Sequence, residues 1–199
     1  MQKILVQSVD LFVHPFYATR FLSKRLLKQQ PTANRRFLKW LSGVWGKSII
    51  NAARKKNNLF VLVTWPNIDD AGQLQLEKLK QFAAARLGKR FRPVKYGLAE
   101  EPLKGAGKPV ELNKYPFADV QFTRKNPIRI TSWGEEINRC PVWQAEYLQE
   151  ALQSAGIRAT IKQRTERSVK IRVRPQINKK RMGREFKATR RRTTRRPGR

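Results

Sequence analysis

Apolar positions along the chain change period several times, and those changes mark out the elements. Ile4 to Val13 is apolar and β-branched enough to predict a strand, interrupted by Gln7, Ser8 and Asp10 and ended by His14-Pro15. From Tyr17 to Gln30 the residues Phe21, Leu22, Leu26 and Leu27 recur at helical spacing, and Pro31 stops the run. A second helix is expected from Asn34, a suitable N-cap, to Lys56. Its apolar stripe is Phe37, Leu38, Leu41, Val44, Trp45, Ile49 and Ala52, with Gly43 and Gly46 weakening its middle. Leu59 to Val63 is continuously apolar, the signature of a strand covered on both faces. Pro66 closes it, and Asp69 or Asp70 can cap the helix that follows; Asp70 with Gln73 has capping-box spacing. That helix carries Leu76, Leu79, Phe82, Ala83 and Leu87 before Gly88, a natural terminator. Phe91 to Tyr96 reads as a third strand.

Periodicity then disappears, and Pro102, Gly105, Gly107, Pro109 and Pro116 accumulate. Residues 97–126 are read as a long loop joining a first half, 1–96, to a second half of the same domain, 127–175. The second half is expected to run strand Pro127 to Trp133, helix Pro141 to Ala155 stopped by Gly156, and a hairpin of Ile157 to Arg164 and Ser168 to Arg174. The order β-α-α-β-α-β-loop-β-α-β-β predicts a layered α/β fold with a largely parallel sheet and an antiparallel C-terminal hairpin at one edge. From Gln176 to Arg199 the apolar pattern ends, and this basic tail cannot bury enough surface to fold alone; it is expected to be disordered.

Composition supports a folded domain. The 199 residues are 40% hydrophobic and include five Trp and ten Phe, enough for a real core. The single Cys excludes an intramolecular disulfide framework and any multi-Cys zinc site, and suits a reducing compartment. The apolar run at the N-terminus is too short for a signal peptide, and no stretch approaches the roughly 20 apolar residues that span a bilayer. A cytoplasmic, nucleoid or nuclear location is expected, neither secreted nor membrane-bound.

Charge changes the picture most. Lys and Arg number 44 against 14 Asp and Glu, a formal net charge of +30. A chain this basic repels itself unless a polyanion neutralises it, so nucleic acid is the expected partner, in preference to a membrane surface or an acidic protein. The charge is uneven: residues 1–58 carry +11, 59–116 carry +4, 117–175 carry +5 and 176–199 carry +10. The tail supplies Lys179, Lys180, Arg181, Arg184, Arg190, Arg191, Arg192, Arg195 and Arg196, whose guanidinium groups suit bidentate contact with phosphate. In the expected hairpin, period two puts Ile157, Ala159 and Ile161, and then Val169, Ile171 and Val173, on one face. Arg158, Lys162, Arg164, Lys170, Arg172 and Arg174 share the other, where like charges oppose one another without a partner. The N-terminal helices add Arg20, Lys24 and Lys28 on one face, with Arg35, Arg36, Lys39, Lys47 and Arg54 to Lys56 beyond them. Trp40 and Trp45 interleave with these cations; core packing is the preferred role, base stacking the alternative.

Specific chemistry is harder to find. There is no Walker loop, GxGxxG or GxSxG motif, no zinc-ligand pairing and no familiar nucleic-acid signature. No cofactor is implied. A metal-dependent nuclease would need acids at the carboxyl ends of strands, and Asp10, Asp69 and Glu135 have the coarse placement. Against that, Asp69 suits a helix cap and Glu135 a helix start. His14, the only histidine, and Cys140 before Pro141 are read as structural. The expectation is a non-catalytic binder of DNA or RNA, driven by the phosphate backbone with low sequence specificity, as an architectural or ribonucleoprotein component. A nuclease and a structural protein embedded in a ribosome-like particle are the alternatives.

Overall fold

The computed structural model describes residues 3–16, 31–64, 70–95, 110–134 and 140–164. They form strands β1 (Ile4–Val6), β2 (Ser8–Val13), β3 (Asn58–Thr64), β4 (Phe91–Lys95), β5 (Val120–Phe122), β6 (Ile128–Gly134) and β7 (Ala159–Arg164). The helices are α1 (Pro31–Ala53), α2 (Asp70–Leu87) and α3 (Cys140–Ser154). Five strands make one sheet in the order β4-β3-β2-β6-β7, with every neighbouring pair parallel. The largely parallel α/β sheet expected from the pattern is therefore present. The helix expected over 17–30, the second hairpin strand and the tail lie outside the described residues.

Helices cover both faces because the inner strands are apolar on both. All seven residues of β3 are buried. On one face Val9, Leu11, Val13, Leu59, Val61, Val63, Ile128 and Ile130 pack with Ala145, Leu148 and Leu152 of α3. On the other, Phe12, Phe60 and Leu62 meet Leu41, Trp45 and Ile49 of α1 and Leu76, Leu79 and Ala83 of α2. Phe12 is the centre of that second layer: it stacks on Phe60 at 4.5 Å and on Trp133 at 5.9 Å, with Trp45 edge-on at 5.1 Å. Each large side chain buried in this way contributes about 1.5–3 kcal/mol.

Several local expectations change. The first strand is two: the backbone breaks at Gln7, so that β1 leaves the main sheet and pairs in parallel with β5. Gln7 holds the crossing, donating its N–H to the Asn57 carbonyl at 2.8 Å and accepting from the Arg129 N–H at 3.3 Å. The segment read as a loop over 97–126 thus contains a strand, three residues long and too short for its pattern to show. α1 starts at Pro31, three residues before the expected Asn34. The proline's fixed φ and missing N–H suit a first helical position. Gly43 and Gly46 do not interrupt α1, which runs unbroken for 23 residues.

Helix ends follow the sequence more closely. Asp70 opens α2, with its carboxylate in the first turn where the macrodipole favours it. Gly88 and Gly156, at φ +52° and +74°, follow α2 and α3 in the left-handed conformation that terminates helices. The last strand departs from simple alternation. Ile130 pairs with Ile161 but Thr131 with Gln163, so Lys162 is an extra residue in β7. A bulge of this kind interrupts simple alternation at that point of the strand.

Candidate nucleic-acid interface

In a parallel sheet all strands start on one edge, so the segments that feed them converge there. Residues 54–57 lead into β3, 88–90 into β4, 123–127 into β6 and 155–158 into β7. Hydrogen bonds tie these segments together: the Ile128 N–H donates to the Arg158 carbonyl at 2.8 Å, and the Arg158 guanidinium to the Lys125 carbonyl at 3.2 Å. The converging segments, with the start of β6, carry nine cations: Arg54, Lys55, Lys56, Lys89, Arg90, Arg124, Lys125, Arg129 and Arg158. None of them contains an acid.

Some of this charge has structural work. Lys55 Nζ lies 2.8 and 2.7 Å from the two carboxylate oxygens of Asp10, whose side chain is 4% exposed. Asn58 completes the cluster, donating to Asp10 at 3.1 Å and accepting from the Ser8 hydroxyl at 2.8 Å. Arg90 caps the carboxyl end of α1 by donating to the Lys55 and Ala53 carbonyls at 2.7 and 3.2 Å. Arg92, just inside β4, binds Asp119 at 2.6 Å and the Pro116 carbonyl at 2.7 Å. That guanidinium holds the Asp119 carboxyl below the usual carboxylate range. The three helices all end at this edge, and each carboxyl terminus supplies roughly half a negative charge. Together they offset only about one and a half of the nine cations. Arg54, Lys56, Lys89, Arg124, Lys125, Arg129 and Arg158 are exposed and make no ion pair among the described residues. A shallow hollow of about 450 Å³ opens beside Arg129, between Gln7, Asn126, Pro127 and Thr160.

The opposite edge is where the nuclease alternative would place its acids. Strand order reverses between β2 and β6, and ligands of open α/β sheets usually bind beyond the carboxyl ends at such a point. There His14 and Phe16 adopt positive φ, +51° and +65°, and both are buried. Burial pushes the His14 imidazole down to about 4, so it is uncharged near neutrality. Gly134 packs close against Pro141, since a Cβ there would meet the proline ring at 2.3 Å. Of the nuclease candidates, Asp10 alone is among the described residues. Asp10 is the third residue of β2, nearer the amino edge, and is committed to Lys55 and Asn58; Asp69 and Glu135 lie outside the described residues.

Of the other sequence-derived cations, Arg35, Arg36 and Arg158 are exposed. Lys162 and Arg164 are in β7. Arg20, Lys24, Lys28, Lys170, Arg172, Arg174 and the tail set lie outside the described residues. The two tryptophans of α1 part company: Trp45 is core, whereas Trp40 is 39% exposed beside Lys39. Arg54 to Lys56 and Arg158 were already singled out in the sequence, but Lys89, Arg90, Arg124, Lys125 and Arg129 were not, because they are far apart in sequence and lie in segments of modest net charge. The signal available was that the expected strands beginning at Leu59, Phe91 and Pro127 are each preceded by Lys or Arg within a few residues, and that Arg158 stands at the start of the next. Compared with protein-family models, with curated proteins and with solved structures, the chain matches none.

Proposed function

We propose that this chain is a non-catalytic nucleic-acid-binding protein that meets the phosphate backbone with the amino edge of its sheet. The carrying observation is the convergence of seven exposed cations from four chain segments that contain no acid, none of the seven forming an ion pair among the described residues. Phosphates are the partner that suits such a surface, because their condensed counterions are released on binding. Contacts of this kind position a protein on a strand without reading its bases, which accords with low sequence specificity. The Arg-rich residues from Gln176 to Arg199 extend the same chemistry, as an arm that adds affinity. An architectural or ribonucleoprotein role follows from binding of this character.

The test is a titration of labelled duplex and single-stranded DNA and RNA across a salt series. With five or more phosphates contacted, the slope of log affinity against log salt should be about −4 or steeper. A slope near zero, or no binding to any of the four, would defeat the proposal. Truncation at Gln176 should weaken binding while leaving a measurable, salt-dependent remainder from the folded domain.

A further inference from the structure

Arg129 differs in setting from the other exposed cations of the amino edge. They stand in the turns and the short helical segment that lead into the strands, whereas Arg129 is already on β6, between the fully buried Ile128 and Ile130. Its register partners are Ser8 of β2 and Thr160 of β7, on strands about 4.8 Å to either side. Beside it lies the hollow of about 450 Å³, lined by Gln7, Asn126, Pro127, Arg129 and Thr160. We infer that this hollow seats one phosphate of the bound nucleic acid. The Arg129 guanidinium takes two of its oxygens, and the Thr160 hydroxyl and the Gln7 and Asn126 amides donate to the same group. The inference rests on the nucleic-acid proposal above and adds the point at which a single phosphate is fixed by geometry, where the rest of the surface acts through charge.

Three observations carry it. The first is the donor set: one cation with three neutral polar side chains and no acid. A guanidinium offers two parallel N–H donors in a plane, which match a pair of phosphate oxygens, and the hydroxyl and carboxamides add donors without adding charge. The second is that these donors are available. Gln7, Asn126, Arg129 and Thr160 are exposed, and their side chains make no hydrogen bond among the described residues. The third is a backbone already fixed around the hollow. The Gln7 N–H donates to the Asn57 carbonyl at 2.8 Å and the Arg129 N–H to the Gln7 carbonyl at 3.3 Å. Pro127 has a locked φ, and the Ile128 N–H is bonded to the Arg158 carbonyl at 2.8 Å. A site whose walls are set in advance loses less entropy when the anion arrives.

The experiment uses the full chain and fluorescence anisotropy with oligo(U), oligo(dT) and mixed-sequence DNA and RNA duplexes, each of about 15 nucleotides. The single strands are used with and without a 5′-phosphate. Variants are compared on the probe that the wild-type chain binds most tightly. Arg129→Lys keeps the charge and loses the planar fork; it should weaken binding about tenfold with the salt slope unchanged. Thr160→Val removes one hydroxyl, keeps a β-branched side chain and should weaken binding about fivefold, again at constant slope. Arg129→Gln should weaken binding further and flatten the slope by about 1. Melting temperatures should stay within about 2 °C of the wild type, which separates loss of binding from loss of fold. A gain from the 5′-phosphate that Arg129→Lys abolishes assigns the seat to the end of a strand. The same losses without such a gain assign it to a backbone phosphate, and both uphold the inference. Wild-type affinity in either Arg129→Lys or Thr160→Val would overturn it while leaving the charge-driven parent proposal intact. Failure of the wild-type chain to bind any of the probes would remove the parent proposal as well.

Discussion

The two edges of the central sheet use their residues in opposite ways. At the carboxyl edge the described residues close over themselves: His14 and Phe16 are buried at positive φ, and the end of β6 presses on Pro141. At the amino edge four segments present charge to solvent, restrained by one buried carboxylate and by helix carbonyls. Chemistry in parallel α/β sheets is usually sought at the first edge, where helix amino termini attract anions. Among the described residues the exposed cations gather at the second. The helix carboxyl termini gathered there carry partial negative charge, so cations are accepted at low cost. In the proposed function, the surplus beyond that compensation is met by an external anion.

The largest expected effect tests the carboxyl edge. His14 in the unfolded chain takes a proton near pH 6.5, while in the folded protein burial delays protonation to about 4. Between those values the unfolded state binds more protons, so stability should fall as pH drops through this window, by about 3 kcal/mol in total. His14→Asn accepts the same left-handed backbone and does not titrate; urea melts at pH 7, 5.5 and 4.5 should show a flatter pH dependence. An unchanged slope would mean that His14 is not held neutral.

Next in size is the amino edge. Replacing Arg124, Lys125, Arg129 and Arg158 together by Gln should lower nucleic-acid affinity about a hundredfold at moderate salt, and flatten the salt slope by roughly 3. Melting temperature should hold or rise, since like charges are removed. Unchanged binding would erase the contrast between the edges. Asp10→Ala is expected to lose about 2 kcal/mol of stability, because it strands the buried Asn58 amide. The same change frees Lys55, so affinity for polyanions should hold or increase; a loss of affinity in folded protein would sink that reading. The smallest effect is Gly156→Ala, which forces a Cβ into φ +74° and should cost about 1 kcal/mol by chemical denaturation, with binding unchanged.

Much of the fold was legible because it rests on local rules. The apolar run Leu59 to Val63 needed burial on both faces and received it. Gly88 and Gly156 marked the ends of α2 and α3 through φ alone. Less was legible where a long-range partner decides. Gln7 splits the first strand because β5, more than a hundred residues later, is there to pair with β1. Trp40 and Trp45 are equally apolar in sequence, and only the position of the sheet behind α1 puts one in the core and leaves the other at the surface. Asp10 looked like a strand-end ligand until the approach of Lys55 and Asn58 showed its carboxylate committed.

The amino-acid sequence by itself determined that the chain is an α/β protein with a large positive surplus, since periodicity and net charge are sums over the chain that folding leaves unchanged. It also marked α1 as a helix without acids. Where that surplus acts was decided only by tertiary structure. Parallel pairing brings Arg54, Lys89, Arg124 and Arg158 to one edge, although they come from segments separated by tens of residues. Parallel strands require a crossover after every strand, so each return to the sheet begins at the same edge. Cations from separate stretches of the linear charge map are thereby brought to one edge.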